Sequence, residues 1–350
     1  MQQQMRFCRS FDGTRIAYAV SGEGPVLVRA PHWLTHLEYE AQSPIWRPWL
    51  AAMARGRTLV RMDERGCGLS DRGVDDITFE AFVRDLEALV DAAGLQKFAL
   101  FGHSQGGPIS IAYAVRHPER VTHLVLLGSY TRGWFKRAPE RCEELEAQLK
   151  LVEAGWGRDD PSYRQLFASQ FLPGATLEQL RSMSELQRMS SHAADAVRIM
   201  RCFFNIDVSD LAPAVRCPTL VLHAHGELRV PFEEGRAMAA MIPGARFVPL
   251  ESQNHILLEQ EPAFAHLFEE LEAFLPGAER RFPDLTARES QILEHIARGL
   301  DNAQIAAHLA LSEKTVRNHI THIFDKIGVE SRAQAIVLAR ERGLGQRSRP

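Results

Sequence analysis

Short apolar runs rich in β-branched residues alternate with amphipathic stretches through most of this chain, from Arg15 to Leu275. The runs predicted to be strands are RIAYAV (15–20), PVLVRA (25–30), RTLVRMD (57–63), KFALF (97–101), VTHLVLL (121–127), PTLVLH (218–223) and ARFVPL (245–250). Between several of them lie helical patterns such as residues 79–93, with apolar residues three and four positions apart. Near-continuous apolar strands separated by helices indicate a mostly parallel sheet covered on both faces. The predicted fold class of this segment is α/β.

Length and composition favour more than one globular domain. The chain has 350 residues, and a domain typically takes about 100 to 200. With 45% hydrophobic and 24% charged residues, the composition excludes disordered, fibrous and membrane proteins. No apolar run approaches the roughly 18 residues of a membrane span, and no signal sequence precedes the first strand, so we expect a cytoplasmic protein. Five scattered cysteines without a C-x-x-C pair indicate reduced thiols.

A Gly-x-Ser-x-Gly pattern follows the predicted strand KFALF. In GHSQGG, residues 102–107, Ser104 stands between Gly102 and Gly106, and a helix-like run begins directly afterwards. A tight turn from strand to helix would expose the serine oxygen, and the glycines would leave room for the turn. The amides at the start of the helix would then face a developing oxyanion. This context predicts that Ser104 is a nucleophile.

A nucleophilic serine needs a base, and the base needs an acid to orient it. Both residue types follow in the chain order Asp/Glu and then His: Glu227 comes just after PTLVLH, and His255 just after ARFVPL. Loops that follow parallel strands meet at the carboxyl edge of the sheet, where such folds place their ligand sites. We therefore expect Ser104, Glu227 and His255 to lie together.

With these landmarks and DERGCGLSD (63–71), residues 10–275 resemble the α/β-hydrolase fold family. The resemblance implies that Ser104 is the nucleophile, His255 the general base and Glu227 the acid that fixes the imidazole tautomer, although most members have Asp at the last position. The Gln105 amide would be one oxyanion donor. Where the family usually has His-Gly, this chain has Ala30-Pro31, so the second donor would come from His32 or Trp33.

Residues 129–215 interrupt the strand alternation with a helical stretch, at the usual position of a lid in this fold. The stretch is rich in large apolar residues: Trp134, Phe135, Trp156, Tyr163, Phe167, Phe171, Met183, Met189, Met200, Phe203 and Phe204. Most of them should pack the lid onto the body, and the others should cover the serine. An aromatic roof predicts a small hydrophobic or aromatic ligand.

The C-terminal part of the chain has a different organisation. Residues 276–284 contain two prolines, a glycine and charges without apolar periodicity, which predicts a linker before a second domain, residues 285–350. Capping signals divide this domain into four helices. Thr286 with Glu289 opens the first and Gly299 ends it, Asp301 or Asn302 starts the second, Ser312 caps the third, and Ser331 with Gln334 opens the fourth.

The third of these helices has two distinct faces. Its predicted buried stripe consists of Val316, Ile320, Ile323, Phe324 and Ile327. The opposite face carries Lys314, Arg317, Asn318 and Thr321, flanked by Thr315, His319, His322 and Lys326. Such a polar face offers cations for phosphates and bidentate groups for base edges, and a short second helix before it is the arrangement of a helix-turn-helix.

Across residues 285–345 the tail resembles a LuxR-type helix-turn-helix DNA-binding domain, through LTARE, IARGL, NAQIAAHLALSEKTVRNHI and FDKIGVESRAQAI. The resemblance implies double-stranded DNA as a partner of the third helix. It also implies a homodimer formed through the fourth helix, residues 332–342. The net charge of −3 agrees, because residues 280–350 carry +4 and the remainder −7.

These observations predict a transcriptional regulator whose hydrolase-like domain senses a small apolar molecule. Two mechanisms stay open: binding without turnover, or hydrolysis of an ester or lactone. The rival hypothesis is a serine esterase whose tail only localises or dimerises it. We expect no cofactor, and no metal at the tail histidines His295, His308, His319 and His322, because clustered cysteine or carboxylate ligands do not accompany them.

Overall fold

A computed structural model of the chain describes residues 3–158, 161–275, 282, 284–309, 311–341 and 344–345. The chain divides into two compact units, residues 1–276 and 277–350, and each has its own hydrophobic core. The predicted linker, residues 276–284, lies outside the described residues except for Phe282 and Asp284.

The first unit is built on an eight-stranded sheet. Its strands are β1 (Gln3–Arg9), β2 (Arg15–Ser21), β3 (Val26–Arg29), β4 (Thr58–Met62), β5 (Phe98–His103), β6 (Val121–Leu127), β7 (Thr219–Ala224) and β8 (Arg246–Leu250). They lie in the order β1-β2-β4-β3-β5-β6-β7-β8. All neighbouring strands pair in parallel except β1 with β2 and β2 with β4, so the sheet is mostly parallel, as predicted.

The seven predicted strands are present with ends shifted by no more than a few residues, and β1 is an addition at the edge of the sheet. Only one side of β1 pairs with another strand, and its side chains are exposed or half-buried along its whole length. The strand therefore has no continuous apolar run, which is the signal that identified the inner strands. Every residue of β5 and β7, by contrast, is buried.

Helices cover the sheet and fill the segment between β6 and β7. In chain order they are α1 (Leu37–Glu40), α2 (Trp46–Met53), α3 (Phe79–Ala92), α4 (Gly106–Arg116), α5 (Trp134–Arg137), α6 (Cys142–Gly155), α7 (Pro161–Ser169), α8 (Leu177–Ser190), α9 (Ala193–Asn205), α10 (Phe232–Met241) and α11 (Pro262–Phe274). Helices α5 to α9 form the segment predicted as a lid. Among the described residues, no helix is both long and apolar enough to cross a membrane.

The second unit contains α12 (Ala287–Ala297), α13 (Asn302–Leu309), α14 (Glu313–Ile327) and α15 (Arg332–Glu341). Thr286 and Glu289 form the predicted capping box before α12, and the Ser312 side chain accepts the Thr315 N–H at the start of α14. Gly328 ends α14 at φ +70°, a left-handed conformation that glycine adopts without steric cost. The caps therefore set the helix boundaries that the sequence predicted.

Candidate functional site

Ser104 lies at a sharp turn between β5 and α4. Its φ is +53°, and it is one of two described non-glycine residues with positive φ. The backbone is held there by hydrogen bonds from the Ser104 N–H to the Leu127 carbonyl (2.9 Å) and from the Ser129 hydroxyl to the Ser104 carbonyl (2.7 Å). A Cβ added at Gly102 would come within 2.6 Å of the Ser110 hydroxyl oxygen, so the glycine is sterically required.

Glu227 and His255 come together at the same edge of the sheet, in the loops after β7 and β8. His255 Nδ1 is hydrogen-bonded to Glu227 Oε1, which also accepts the Val230 N–H at 2.8 Å. Ser104 and His255 line one cavity. The structure thus brings the three predicted residues to one region, with the acid behind the imidazole.

The buried surroundings of His255 favour its neutral form. Burial, followed by the positive charges of Arg229 and Arg137, lowers the pKa of His255. Burial also raises the pKa of Glu227, against the opposing effects of His223 and the Val230 N–H. A neutral imidazole whose Nδ1 is hydrogen-bonded to Glu227 leaves its Nε2 for the role of general base.

The predicted oxyanion donors also border this cavity. Gln105, His32 and Trp33 all line it, and the Gln105 backbone N–H has no acceptor among the described residues. The loop after β3 packs directly on the start of α4, because a Cβ at Gly106 would lie 2.7 Å from the Pro31 carbonyl oxygen. His32 Nδ1 is 2.9 Å from the Trp33 carbonyl oxygen. His32 Nε2 is buried 3.9 Å from Glu40 Oε1 and has no hydrogen-bond partner in the described part of the chain.

The cavity is mainly aromatic and has a volume of about 650 Å³ including its mouth. Of the apolar lid residues singled out in the sequence, those that line it are Trp134, Phe171, Met183, Phe203 and Phe204. Trp156, Phe167 and Met200 pack into the hydrophobic core without lining this cavity. Phe171, Met183, Phe203 and Phe204 do both, so the packing residues and the residues beside the serine overlap.

Sequence reasoning missed several polar residues around the cavity. Arg229 lines it two positions after Glu227, and the carboxyl group of the buried Glu64 accepts a hydrogen bond of 2.5 Å from Gln105 Nε2. His223 Nε2 lies 3.5 Å from Glu227 Oε2, whereas His255 Nδ1 is bonded to the other oxygen, Oε1. The nearest sequence signal is position, because His223 lies near the carboxyl end of β7 and Arg229 lies in the loop that follows, two residues after Glu227.

In the second unit, α14 has the two faces that the sequence predicts. Val316, Ile320 and Ile323 are buried, whereas Phe324 and Ile327 are half-buried against the same core. Of the predicted DNA-contacting residues, the exposed ones are Lys314, Arg317, Asn318, Thr321, His322 and Lys326, and the half-buried ones are Thr315 and His319. Lys314, Arg317 and Asn318 thus expose two cationic groups and one amide on this polar face.

Lys326 differs from the other cations of the polar face because it already has an ionic partner. Its Nζ lies 2.7 Å from Oε2 of the buried Glu289, the capping-box residue of α12. The ion pair lowers the pKa of Glu289 to about 2. Lys326 therefore joins two helices. Arg317, in contrast, has no ion pair with a described residue. The described residues also contain no group of three His, Cys, Asp or Glu side chains arranged to hold a metal.

Two family models match this chain. Residues 39–171 match the alpha/beta hydrolase fold, and residues 283–339 match the luxR family of bacterial regulatory proteins. The chain joins an α/β-hydrolase domain to a LuxR-type DNA-binding domain. The eight-stranded sheet and the four C-terminal helices are the structural counterparts of these two domains.

Similar proteins match the hydrolase domain. "Putative carbamate hydrolase RutD" of Klebsiella pneumoniae strain 342 is 27% identical over 219 residues, which are 60% of this chain and 79% of RutD. The esterase EaEST of Exiguobacterium antarcticum superposes with a TM-score of 0.67 and 21% identity over 77% of this chain and 99% of its own. For the enol-lactonase of Burkholderia xenovorans LB400 the TM-score is 0.59 and the identity is 23%, over 77% of this chain and 99% of the enol-lactonase. At these identities the two structures show the fold alone.

Proposed function

We propose that this protein is a transcriptional regulator whose hydrolase domain binds a small hydrophobic or aromatic molecule and thereby changes the DNA affinity of the LuxR-type domain. The observation that carries the proposal is the presence, in one chain, of an aromatic cavity at Ser104 and of an exposed cationic face on α14. An enzyme that acts only on a small molecule has no use for a DNA-reading helix. The proposal includes action in the cytoplasm, where bacterial DNA is.

Esters and lactones are the compound classes that we propose for the ligand. The proteins similar to the hydrolase domain carry names that refer to a carbamate, an ester and a lactone, all of which contain an acyl carbon bound to a heteroatom. The aromatic and apolar lining of the cavity suits the apolar part of such a molecule. Such a ligand regulates only if it binds one DNA-affinity state more tightly than the other.

The DNA-binding part of the proposal is tested by Arg317→Ala, measured by gel shift or fluorescence anisotropy over a series of salt concentrations. Arg317 is exposed on the polar face and has no ion pair within the described chain. Loss of one phosphate contact should weaken DNA binding and reduce the slope of log K against log salt by about one. Arg298→Ala, directly after the end of α12 and paired with Glu294, is the matched control. An unchanged slope in Arg317→Ala would remove the main support for the regulator.

A second candidate function, serine hydrolysis, is favoured by the strained turn at Ser104 and the bond between His255 and Glu227. Ser104 Oγ would attack the acyl carbon as His255 Nε2 accepts the hydroxyl proton. The protonated imidazole would then pass this proton to the leaving oxygen, giving an acyl-serine and an alcohol. Water, deprotonated by the same imidazole, would release the carboxylic acid.

Labelling by a fluorophosphonate distinguishes turnover from binding alone, because the reagent reacts with an activated serine. We expect a single adduct in the intact mass of the wild type and none in Ser104→Ala. A folded wild type that stays unlabelled would indicate a receptor with a silent triad. In that case ligands would be sought by thermal shift.

The rival function is an esterase whose tail only localises or dimerises it. It predicts hydrolysis without any effect of ligand on DNA affinity, whereas the regulator requires that effect.

Both functions are compatible with a homodimer formed through α15, which we propose because this helix exposes Val337 (57%) beside its buried alanines Ala335 and Ala339. Sedimentation of the DNA complex as a monomer would refute the homodimer.

A further inference from the structure

The cavity beside Ser104 contains a positive charge that lacks a close counter-ion among the described residues. Arg229 lines the cavity, with its guanidinium carbon 4.6 Å from the centre of the Trp134 ring and 4.8 Å from that of Phe171. Its one hydrogen bond to a described side chain goes to Gln170 Oε1, at 3.2 Å. A guanidinium has five N–H donors, so most of them have no acceptor among the described residues.

A second guanidinium, that of Arg137, increases the local positive charge. It lies 5.4 Å from the Trp134 ring centre and donates to the Arg229 carbonyl at 3.5 Å, and its Nη1 is buried without a partner in the described chain. The negative charge of Glu227 acts on both arginines, and that of Glu234 acts on Arg137, but no described carboxylate forms an ion pair with either arginine. Glu227 is already hydrogen-bonded to His255 and to the Val230 N–H. The two guanidinium groups therefore have no carboxylate in direct contact among the described residues.

This arrangement has an energetic consequence. Arg229 is half-buried in a largely apolar wall, so its charge loses part of its hydration. That loss is offset when an opposite charge or a hydrogen-bond acceptor approaches it. The guanidinium lies over the aromatic rings of Trp134 and Phe171, so the N–H groups at its edge remain able to donate hydrogen bonds. Carboxylates match that edge with two parallel bonds. The positive charge of Arg229 also lowers the pKa of His255, which agrees with a position close to the triad.

We propose that the cavity selects an aromatic or apolar small molecule that carries a carboxylate, with the carboxylate bound by Arg229 and the apolar part against the aromatic wall. This inference rests on the proposed function and specifies its ligand. A neutral ligand of the same shape would leave the guanidinium without a counter-ion. We therefore attribute the preference for an anionic ligand to Arg229.

The test compares four acids, benzoate, phenylacetate, 3-phenylpropanoate and 4-phenylbutanoate, with their primary amides, titrated into the full-length protein by calorimetry without DNA. We expect at least one acid to bind about tenfold or more tightly than its amide. Arg229→Met, which keeps an apolar side chain between the rings, should abolish this preference and leave amide binding unchanged. Arg229→Lys keeps the charge without the planar fork and should retain part of the preference.

Arg236→Met is the matched control, because Arg236 is an exposed arginine of α10 paired with Glu233. It should keep the preference of the wild type. Equal binding of acids and amides by the wild type, including no binding of either, would overturn the proposal. An equal loss for acids and amides in a folded Arg229→Met would assign Arg229 a packing role and overturn it as well. Because DNA is absent from the test, a failure here is separate from a failure of Arg317→Ala to weaken DNA binding.

Discussion

At the scale of single residues, the conformation of Ser104 is the most informative feature of the hydrolase domain. A non-glycine residue in the left-handed region costs on the order of 1–3 kcal/mol, and it persists only where its surroundings require it. Here the surrounding backbone and side chains hold this conformation. The Leu127 carbonyl and the Ser129 hydroxyl hold the Ser104 backbone, and the Pro31 carbonyl leaves no room for a side chain at Gly106.

The charge state of His255 gives a prediction at the same scale. Burial and the cations Arg229 and Arg137 disfavour the imidazolium, so the pKa of His255 should lie below its ordinary value of 6.5. Arg229→Met removes one cation and should therefore raise this pKa. The measurement is a ¹³C NMR titration of histidine-labelled protein, with His255→Gln used for assignment.

Arg236→Met should leave the titration of His255 unchanged, because Arg236 is exposed and paired with Glu233. A His255 signal that titrates at the same pH in the wild type and in Arg229→Met would contradict the electrostatic role of Arg229.

At the scale of helices, the DNA-binding domain is organised by one ion pair between helix ends. Glu289 closes the capping box of α12 and bonds Lys326 in the last turn of α14. The Lys326 and Thr286 contacts lower the pKa of Glu289 from 4.5 to about 2. A carboxyl group whose pKa is depressed by folding stabilises the folded state above its unfolded pKa, and this stabilisation is lost as the pH falls through the folded pKa.

We therefore expect the melting temperature of the DNA-binding domain to fall between pH 5 and pH 2, and to fall less in Glu289→Gln. At pH 7 the substitution should cost about 1 kcal/mol of unfolding free energy, the usual size of a partly exposed ion pair. Circular dichroism melts at several pH values measure both effects. Lys326→Met should reproduce the weaker pH dependence, and a parallel decline in the wild type and both variants would show that the pair contributes nothing.

At the scale of the whole molecule, each unit has a hydrophobic core of its own. Leu124 in β6 and Leu293 in α12 are both fully buried, one in each core. Truncation of a buried leucine to alanine typically costs about 2–5 kcal/mol. Leu124→Ala should lower the calorimetric transition of the hydrolase domain, and Leu293→Ala that of the DNA-binding domain. A single transition that both substitutions shift equally would refute independent cores.

Most of the architecture could be predicted from the sequence because buried positions appear there as runs or regular repeats of apolar residues. Strands β5 and β7 are buried along their length and consist mainly of apolar residues, and the third helix of the tail has an apolar stripe and a polar face. The edge strand β1 was missed because its side chains alternate between exposed and half-buried positions. Arg229 was missed because an arginine in a loop is ordinarily solvated, and only the tertiary structure places it between Trp134 and Phe171.

The contact of Lys326 with Glu289 has a consequence for the operator. Ser312 caps one end of α14, and Lys326 connects the last turn of this helix to α12. If α14 contacts DNA as we propose, we expect these two contacts to keep its conformation unchanged on binding. The double helix would then have to change its shape to fit the protein. Base steps that bend or narrow easily should then be favoured even at positions that no side chain touches.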